Sequence, residues 1–267
     1  MDTWNPIMAD LSWSDVAEAL TECTLVVIPV GSIEQHGHHL PLKTDTMNVE
    51  WVAIEAAGRA RVLVAPTVQV GVSTNHLGFA GTISLRPRTL IAIITDMVET
   101  LAAHGFTQVL LLNGHGGNYA SMLVAAEELR AGHPGLQVAF TDIVNLATDV
   151  GRRLSDIEYH ADEVETSMSM VVAPHLVQPS RAVREITETF QTYYRRYYSG
   201  AGEMNGIVSY GVPPTRYLSQ SGVMGDATVA SPELGRQVAE AMVEQLVEVI
   251  ADMRAAAAPQ GGRGDRV

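Results

Sequence analysis

Thr24-Leu-Val-Val-Ile-Pro-Val30 is an unbroken apolar run rich in β-branched residues, and Thr107-Gln-Val-Leu-Leu-Leu112 is a second of similar kind. A strand with one wet face alternates apolar and polar residues; a strand covered on both faces does not. The two runs therefore predict buried strands of a parallel sheet. Directly after them, Asp45 to Gly58 and Tyr119 to Arg130 carry helical periodicity, and Gln137-Val-Ala-Phe-Thr141 reads as a third strand. Arg61-Val-Leu-Val-Ala65 and Val68-Gln-Val-Gly-Val72 read as shorter strand pieces. Leu11 to Leu20 reads as a helix capped by Ser12 or Ser14, Thr89 to His104 as one stopped at Gly105, and Glu163 to Val172 as another. Ser231 and Pro232 open a last long helix that reaches Arg254. Strands alternating with helices predict an α/β fold in three layers, α/β/α, around a mostly parallel central sheet. No repeat or linker divides residues 1–254, which are expected to form one domain. The Ala-, Gly- and Arg-rich stretch 255–267 is expected to be a disordered tail.

The 267 residues are 46% hydrophobic and 18% charged, the balance of a chain that can bury a core rather than stay unfolded. A formal net charge of -13 argues against a nucleic-acid or anionic-membrane partner, since either needs a basic surface. The single cysteine, Cys23, excludes an intrachain disulfide and a cysteine-based zinc site. There is no basic, then apolar, leader and no apolar run approaching about 18 residues. A cytoplasmic protein acting on a small molecule is the expectation.

Ligands of a parallel sheet bind beyond the carboxyl ends of its strands, and two polar clusters stand there. The first is Gly31-Ser-Ile-Glu-Gln-His-Gly-His-His-Leu-Pro-Leu-Lys-Thr-Asp-Thr46. Glu34 and His36, two residues apart in extended chain, project the same way. Asp45 opens the next helix and can swing back over the same edge. The second cluster is Asn113-Gly-His-Gly-Gly-Asn118, in which glycines let the backbone approach a ligand and His115 is the side chain able to bind a metal. Two carboxylates and two imidazoles form a mixed nitrogen and oxygen set. Such a set suits zinc, manganese or iron(II) better than calcium, and a metal-activated water suits hydrolysis. Asp45, with two oxygens, can bridge two ions. A single histidine in a loop is more often a surface residue, or one standing behind the ligands, than a ligand itself; it is the joint placement of these residues after two strands that points to a metal.

A third cluster, Tyr159-His-Ala-Asp-Glu-Val-Glu-Thr-Ser167, opens a helix. Asp162 and Glu163 read as residues that favour a helix N-terminus. His160 as proton carrier or oxyanion stabiliser, and Glu165 as a ligand, need support from outside the spacing. That support comes from a resemblance. Gly31-Ser-Ile-Glu-Gln-His-Gly37, Leu40-Pro-Leu42 with Thr44-Asp45-Thr46, Asn113-Gly-His-Gly-Gly-Asn118 and His160-Ala161 with Glu165-Thr-Ser167 together resemble the creatininase family. His76-Leu-Gly-Phe-Ala-Gly-Thr-Ile-Ser84 and Gly222-Val-Met-Gly-Asp226 fit the same family, in the same order. The resemblance implies a two-metal hydrolase, often with zinc beside manganese or iron, built as a hexamer from a trimer of dimers. It implies Glu34, His36, Asp45 and His115 as metal ligands, with His160 and Glu165 catalytic and Glu165 a further ligand. His76, Gly116, Gly117 and Asn118 are the implied substrate contacts.

Three departures bear on substrate. Gly117 stands where creatininase carries a metal-binding glutamate, and the resemblance suggests Glu165 as the replacement carboxylate. The tryptophan expected just upstream of His160 is missing, with Asp156 near that place, and His38 replaces a more usual proline. Creatinine is therefore an unfavoured substrate. Asp156, Glu158 and Asp162 favour a neutral or cationic molecule. The expected chemistry is hydrolysis of a C–N bond in a small cyclic amide, lactam or formamide. Ring opening of a keto-inositol by C–C hydrolysis is the alternative, and a metal-binding member without catalysis the non-enzymatic one. The aromatic and basic run Tyr193 to Tyr198 reads as a subunit contact, a lid or a solvated helix face.

Overall fold

Strands β1 (Leu25–Val30), β2 (Leu63–Val64), β3 (Gln108–Asn113) and β4 (Gln137–Asp142) lie in the order β2-β1-β3-β4, every neighbour parallel. This computed structural model describes residues 4–147, 159–197 and 213–257. The helices on the two sides are α1 (Trp13–Glu22), α2 (Thr44–Ala60), α3 (Pro87–Ala103), α4 (Tyr119–Gly132), α5 (Glu163–Val172) and α8 (Pro232–Ala257). Short helices α6 (Glu188–Tyr197) and α7 (Thr215–Leu218) and an antiparallel pair, β5 (Arg184–Glu185) with β6 (Gly225–Asp226), make a small annex.

The uninterrupted apolar strands face two cores at once. From β1 and β3, Leu25, Val27, Leu110 and Leu112 pack on one side against Val49 and Val52 of α2, Met168 of α5 and Val238 and Leu246 of α8. The alternate residues Val26, Ile28, Val109 and Leu111 pack on the other side against Ala19 of α1, Leu90 and Ile94 of α3 and Met122 of α4. That is the expected α/β/α sandwich. Each fully buried Leu, Ile or Val contributes roughly 1.5–3 kcal/mol on leaving water. These two cores, and not the polar site, hold the sheet together.

Local signals set several element ends. Ser12 caps α1: its Oγ accepts from the Asp15 N–H, and the Asp15 carboxylate accepts from the Ser12 N–H at 3.0 Å. This selects Ser12 over Ser14. Gly105, at φ 110°, ends α3 where a side chain would be strained.

Two expectations are corrected. Val68 to Val72 is not a strand. It makes one bridge, Val68 to Val30, and then leaves the sheet, because Gly71 lies against Gly31 and the Asn118 side chain, where a Cβ would come within 2.3 Å of Asn118 Oδ1. Second, α8 continues through Ala257, past Arg254, as strong helix formers Ala255 to Ala257 permit. The rest of the expected tail, 258–267, lies outside the described residues, as do Asp156 and Glu158. No helix among the described residues is long and apolar enough to cross a membrane.

Candidate metal centre

Val30 and Asn113 are register partners at the carboxyl ends of β1 and β3, so the loops leaving those two strands start side by side. The Gly114 N–H donates to the Val30 carbonyl at 2.9 Å, which fastens the two loop origins together. Asp45, in the first turn of α2, comes back over this edge. There Asp45 Oδ1 lies 3.1 Å from His36 Nε2, and Asp45 Oδ2 lies 3.3 Å from His115 Nδ1. One carboxylate addresses two imidazoles.

Around it stand two donor groups, Glu34 with Asp45 and His115, and His36 with Asp45 and Glu165; within each, the ligand atoms lie within 4.8 Å of one another. His115 Nε2 is 3.3 Å from Glu34 Oε2, and His36 Nε2 is 3.7 Å from Glu165 Oε2. A third group joins Glu34, His36 and His160. All four ligands expected from strand placement converge, and Glu165 joins them.

The imidazoles are oriented from behind. His36 Nδ1 donates to the Glu34 carbonyl at 3.2 Å, which leaves Nε2 to face the carboxylates. His115 Nε2 donates to the Val72 carbonyl at 3.1 Å, which leaves Nδ1 facing Asp45. A backbone acceptor on the far nitrogen is how a metal-ligating histidine is normally held.

The electrostatics call for a cation. Among the described residues, Glu34 Oε1 and Oε2 and Asp45 Oδ2 are buried with no aligned hydrogen-bond donor, a costly state for carboxylate oxygens unless a positive charge meets them. Burial pushes the Glu34 carboxyl up, against the pull of His115. Burial also opposes charge on Asp45, but His36 and His115 outweigh it and hold that carboxyl far below the usual range. Burial lowers His36, yet Asp45, Glu165 and Glu34 together raise it to about 10. His115, likewise lowered by burial, is raised by Glu34 and Asp45 to about 9. Protons on the two rings thus stand in for positive charge. The mixed donors and the orphaned oxygens fit divalent zinc, manganese or iron(II).

His160 is buried against the centre, its ring centroid 4.4 Å from that of His36 and 4.5 Å from that of His76. Its backbone pairs with Met224 in both directions, which accounts for the Gly222 to Asp226 motif. Ala161 then takes φ 50°, a left-handed turn costing roughly 1–2 kcal/mol for a residue with a Cβ. That turn lets Asp162 cap α5, accepting from the Val164 and Glu165 N–H groups, while the Ala161 N–H donates to Glu165 Oε2 at 2.6 Å. The N-terminal role read for Asp162 holds.

Glu165 stands with His36 and Asp45 in a donor group to which position 117, a glycine, adds no carboxylate. At Gly117 a Cβ would lie 2.1 Å from the Val72 carbonyl oxygen and 2.4 Å from His115 Nε2; this backbone admits no glutamate there. Asn118 is a brace rather than a substrate contact. It is fully buried, its Nδ2 donates to the Gly31 carbonyl at 3.0 Å and to Asn113 Oδ1 at 3.2 Å, and its Oδ1 accepts from the Val72 N–H at 2.8 Å. Gly116 and Gly117 are exposed beside His115 and His76 is buried, 3.6 Å from Glu34. Sequence reasoning missed Gln35, which touches both His76 and His160. Strict alternation after Glu34 turns it away from the site, but residues 31–43 form a loop that turns at Gly37, φ 65°.

The family model Creatininase, described as creatinine amidohydrolase, matches residues 9–250. A mycofactocin precursor peptide peptidase of Mycolicibacterium smegmatis is 30% identical over 225 residues, 82% of this chain and 81% of its own. The creatinine amidohydrolase of Pseudomonas putida is 30% identical over 268 residues, 91% of this chain and 95% of its own. The 3-dehydro-scyllo-inosose hydrolase of Thermotoga maritima is 28% identical over 261 residues, 91% and 82%. Among solved structures, one named Creatininase Mn matches with a TM-score of 0.77 at 28% identity, over 96% of this chain and 100% of its own. A mutant creatininase of Zn-Zn type matches with a TM-score of 0.77 at 26% identity, over 96% and 99%.

Proposed function

The chain belongs to the creatininase family, and we propose that it is a metal-dependent hydrolase that cleaves a C–N bond in a small cyclic amide, lactam or formamide. The observation that carries this reading is Asp45, whose two oxygens face two separate imidazoles, each with a second carboxylate beside it. Glu34, Asp45 and His115 would hold one divalent ion and His36, Asp45 and Glu165 a second. Zinc is the first choice, with manganese or iron(II) as alternatives, and the Mn and Zn-Zn names of the related structures support it. Bound there, such ions polarise a carbonyl and bring the pKa of a water down to roughly 7.

The chain's own residues do the rest. The exposed Gly116 and Gly117 leave room for a flat substrate beside His115. The buried walls of the centre exclude bulk water, which strengthens every charge interaction inside it. His160 carries the proton from the attacking water to the leaving nitrogen. Glu165, half-buried at the rim, is the second group able to do so. The Gly117 backbone, closed to a glutamate side chain, argues against creatinine itself. Ring opening of a keto-inositol by C–C hydrolysis is the second reading, supported by the likeness to the Thermotoga maritima enzyme. A homohexamer, a trimer of dimers, is proposed from the family resemblance, and a light-scattering mass of six chains tests it.

The deciding experiment is metal analysis of the purified protein beside Glu34→Ala, His115→Ala and Glu165→Ala. Two equivalents in the wild type, falling in each variant, are expected. A screen of cyclic amides, formamides, short peptides and keto-inositols on the loaded enzyme then chooses the substrate. No transition metal after reconstitution with zinc, manganese and iron(II) overturns the reading.

A further inference from the structure

We infer that Gln35 is a positioning residue that fixes the ring protons of His76 and His160, so that the two rings face Glu34 as a donor and an acceptor. The argument starts with the amide itself. Gln35 Oε1 lies 3.0 Å from the Gly37 N–H, which can only donate, and Nε2 lies 3.2 Å from the Gly222 carbonyl, which can only accept. Backbone groups at both ends therefore set which end of the amide is oxygen and which is nitrogen. The fit at Gly222 is close: a Cβ there would come within 1.7 Å of Gln35 Oε1. This glycine, at φ 90°, makes room for the amide.

Gln35 Nε2 has two hydrogens and three neighbours. Besides the Gly222 carbonyl, it lies 3.0 Å from His76 Nδ1 and 2.9 Å from His160 Nε2. His160 Nε2 is also 2.7 Å from the backbone carbonyl of Gln35. That oxygen only accepts, so His160 Nε2 carries its hydrogen and is no acceptor for the amide. The two amide hydrogens go to the Gly222 carbonyl and to His76 Nδ1. His76 Nδ1 is thus a lone pair, and the Thr215 hydroxyl, 3.4 Å from the same nitrogen, can also donate to it.

Both rings then carry their hydrogen on Nε2, but they face the centre with opposite ends. His160 turns its bare Nδ1 toward Glu34 Oε1 at 3.8 Å, and His76 turns its Nε2–H toward the same oxygen at 3.6 Å. On the hydrolase reading, on which the roles but not the tautomers rest, His160 is the base and His76 the hydrogen-bond donor to developing negative charge. One residue thus assigns two jobs, its side-chain amide setting His76 and its backbone carbonyl setting His160.

The test is long-range proton–nitrogen NMR of the full chain with isotope-labelled histidine. It is run metal-free and zinc-loaded, with zinc content measured on the same samples and signals assigned through His76→Asn and His160→Asn. Expected in the wild type are protonated Nε2 and unprotonated Nδ1 on both rings. In Gln35→Glu the side chain can no longer donate, so His76 Nδ1 moves into the protonated range. His160 stays as it was, held by the backbone carbonyl. A wild-type spectrum with Nδ1 protonated on either ring overturns the inference, as does a folded Gln35→Glu variant in which His76 does not move. Should that variant fail to fold, the wild-type spectrum still decides. A sample that takes up no zinc yet shows the expected tautomers removes the metal reading and leaves the inference standing.

Discussion

The two sides of Asp45 hold similar donors on unequal supports. Glu34 and His115 leave adjacent strands whose last residues are register partners, and the Glu34 side chain is 1% exposed. On the other side His36 comes from the same loop, but Glu165 arrives from α5, past a left-handed turn at Ala161, and its side chain is 30% exposed. The first side is closed to water, whereas solvent reaches the second at Glu165, although the Ala161 N–H fastens that carboxylate. The first side is thus expected to hold its ion more tightly, and the second to exchange more readily.

Substituting the shared residue breaks the comparison most completely. Asp45→Ala is expected to lose both metal equivalents, read by elemental analysis; loss of one alone would show that the two sides do not share it. Next, Glu34→Gln and Glu165→Gln separate the sides. Each is expected to weaken one equivalent by more than about 100-fold, beyond the 10–100-fold typical of an outer partner. In the wild type the equivalent sensitive to Glu165→Gln should be the first that a chelator removes. Simultaneous loss of both equivalents would mean that the supports do not differ.

The pH dependence applies to both sides. With no ion bound, His36 and His115 are raised from 6.5 to about 10 and about 9. Raised histidines stabilise the metal-free fold fully below about pH 6.5, and that contribution is lost as pH climbs through 9 to 10. Metal binding must displace the same protons, so its affinity runs the other way, rising about tenfold per pH unit for each proton released. Calorimetry of zinc binding in buffers of different ionisation heat measures the release, and thermal melts of the metal-free protein check the opposite slope. A zinc affinity flat from pH 6.5 to 9 contradicts this account. The smallest effect expected is on stability. Asn118→Ala removes a brace between β1, β3 and the Val72 loop and should cost about 2–3 kcal/mol in chemical denaturation. It should loosen the Glu34 and His115 side while leaving the His36 side in place.

The same contrast explains how much could be read from the chain. β1 and β3 announce themselves by apolar runs, because burial on both faces leaves no polar alternation, while β4, a partly buried edge strand, shows a shorter one. β2 shrinks to two residues and Val68 to Val72 leaves the sheet, since a close approach of Gly71 to Asn118, invisible in a local pattern, takes that segment elsewhere. Glu34, His36 and His115 were legible because each follows a strand by a short connection, and Asp45 because it opens the helix after β1. Glu165 and His160 needed the family motif, and Gln35 went unseen, because a period of two holds in strands and fails in a loop that turns at Gly37.

The sequence by itself thus determined the layered α/β architecture, the sheet edge that gathers the candidate site and four of its proposed metal donors, since periodicity and strand-end placement are local properties of the chain. Only the tertiary structure decided that Asp45 faces two imidazoles at once, that Glu165 serves the His36 side, that Asn118 is a brace and that Gln35 joins His76 to His160. Those are contacts between segments far apart in the chain, and their geometry is set by how two hydrophobic cores pack against a single sheet.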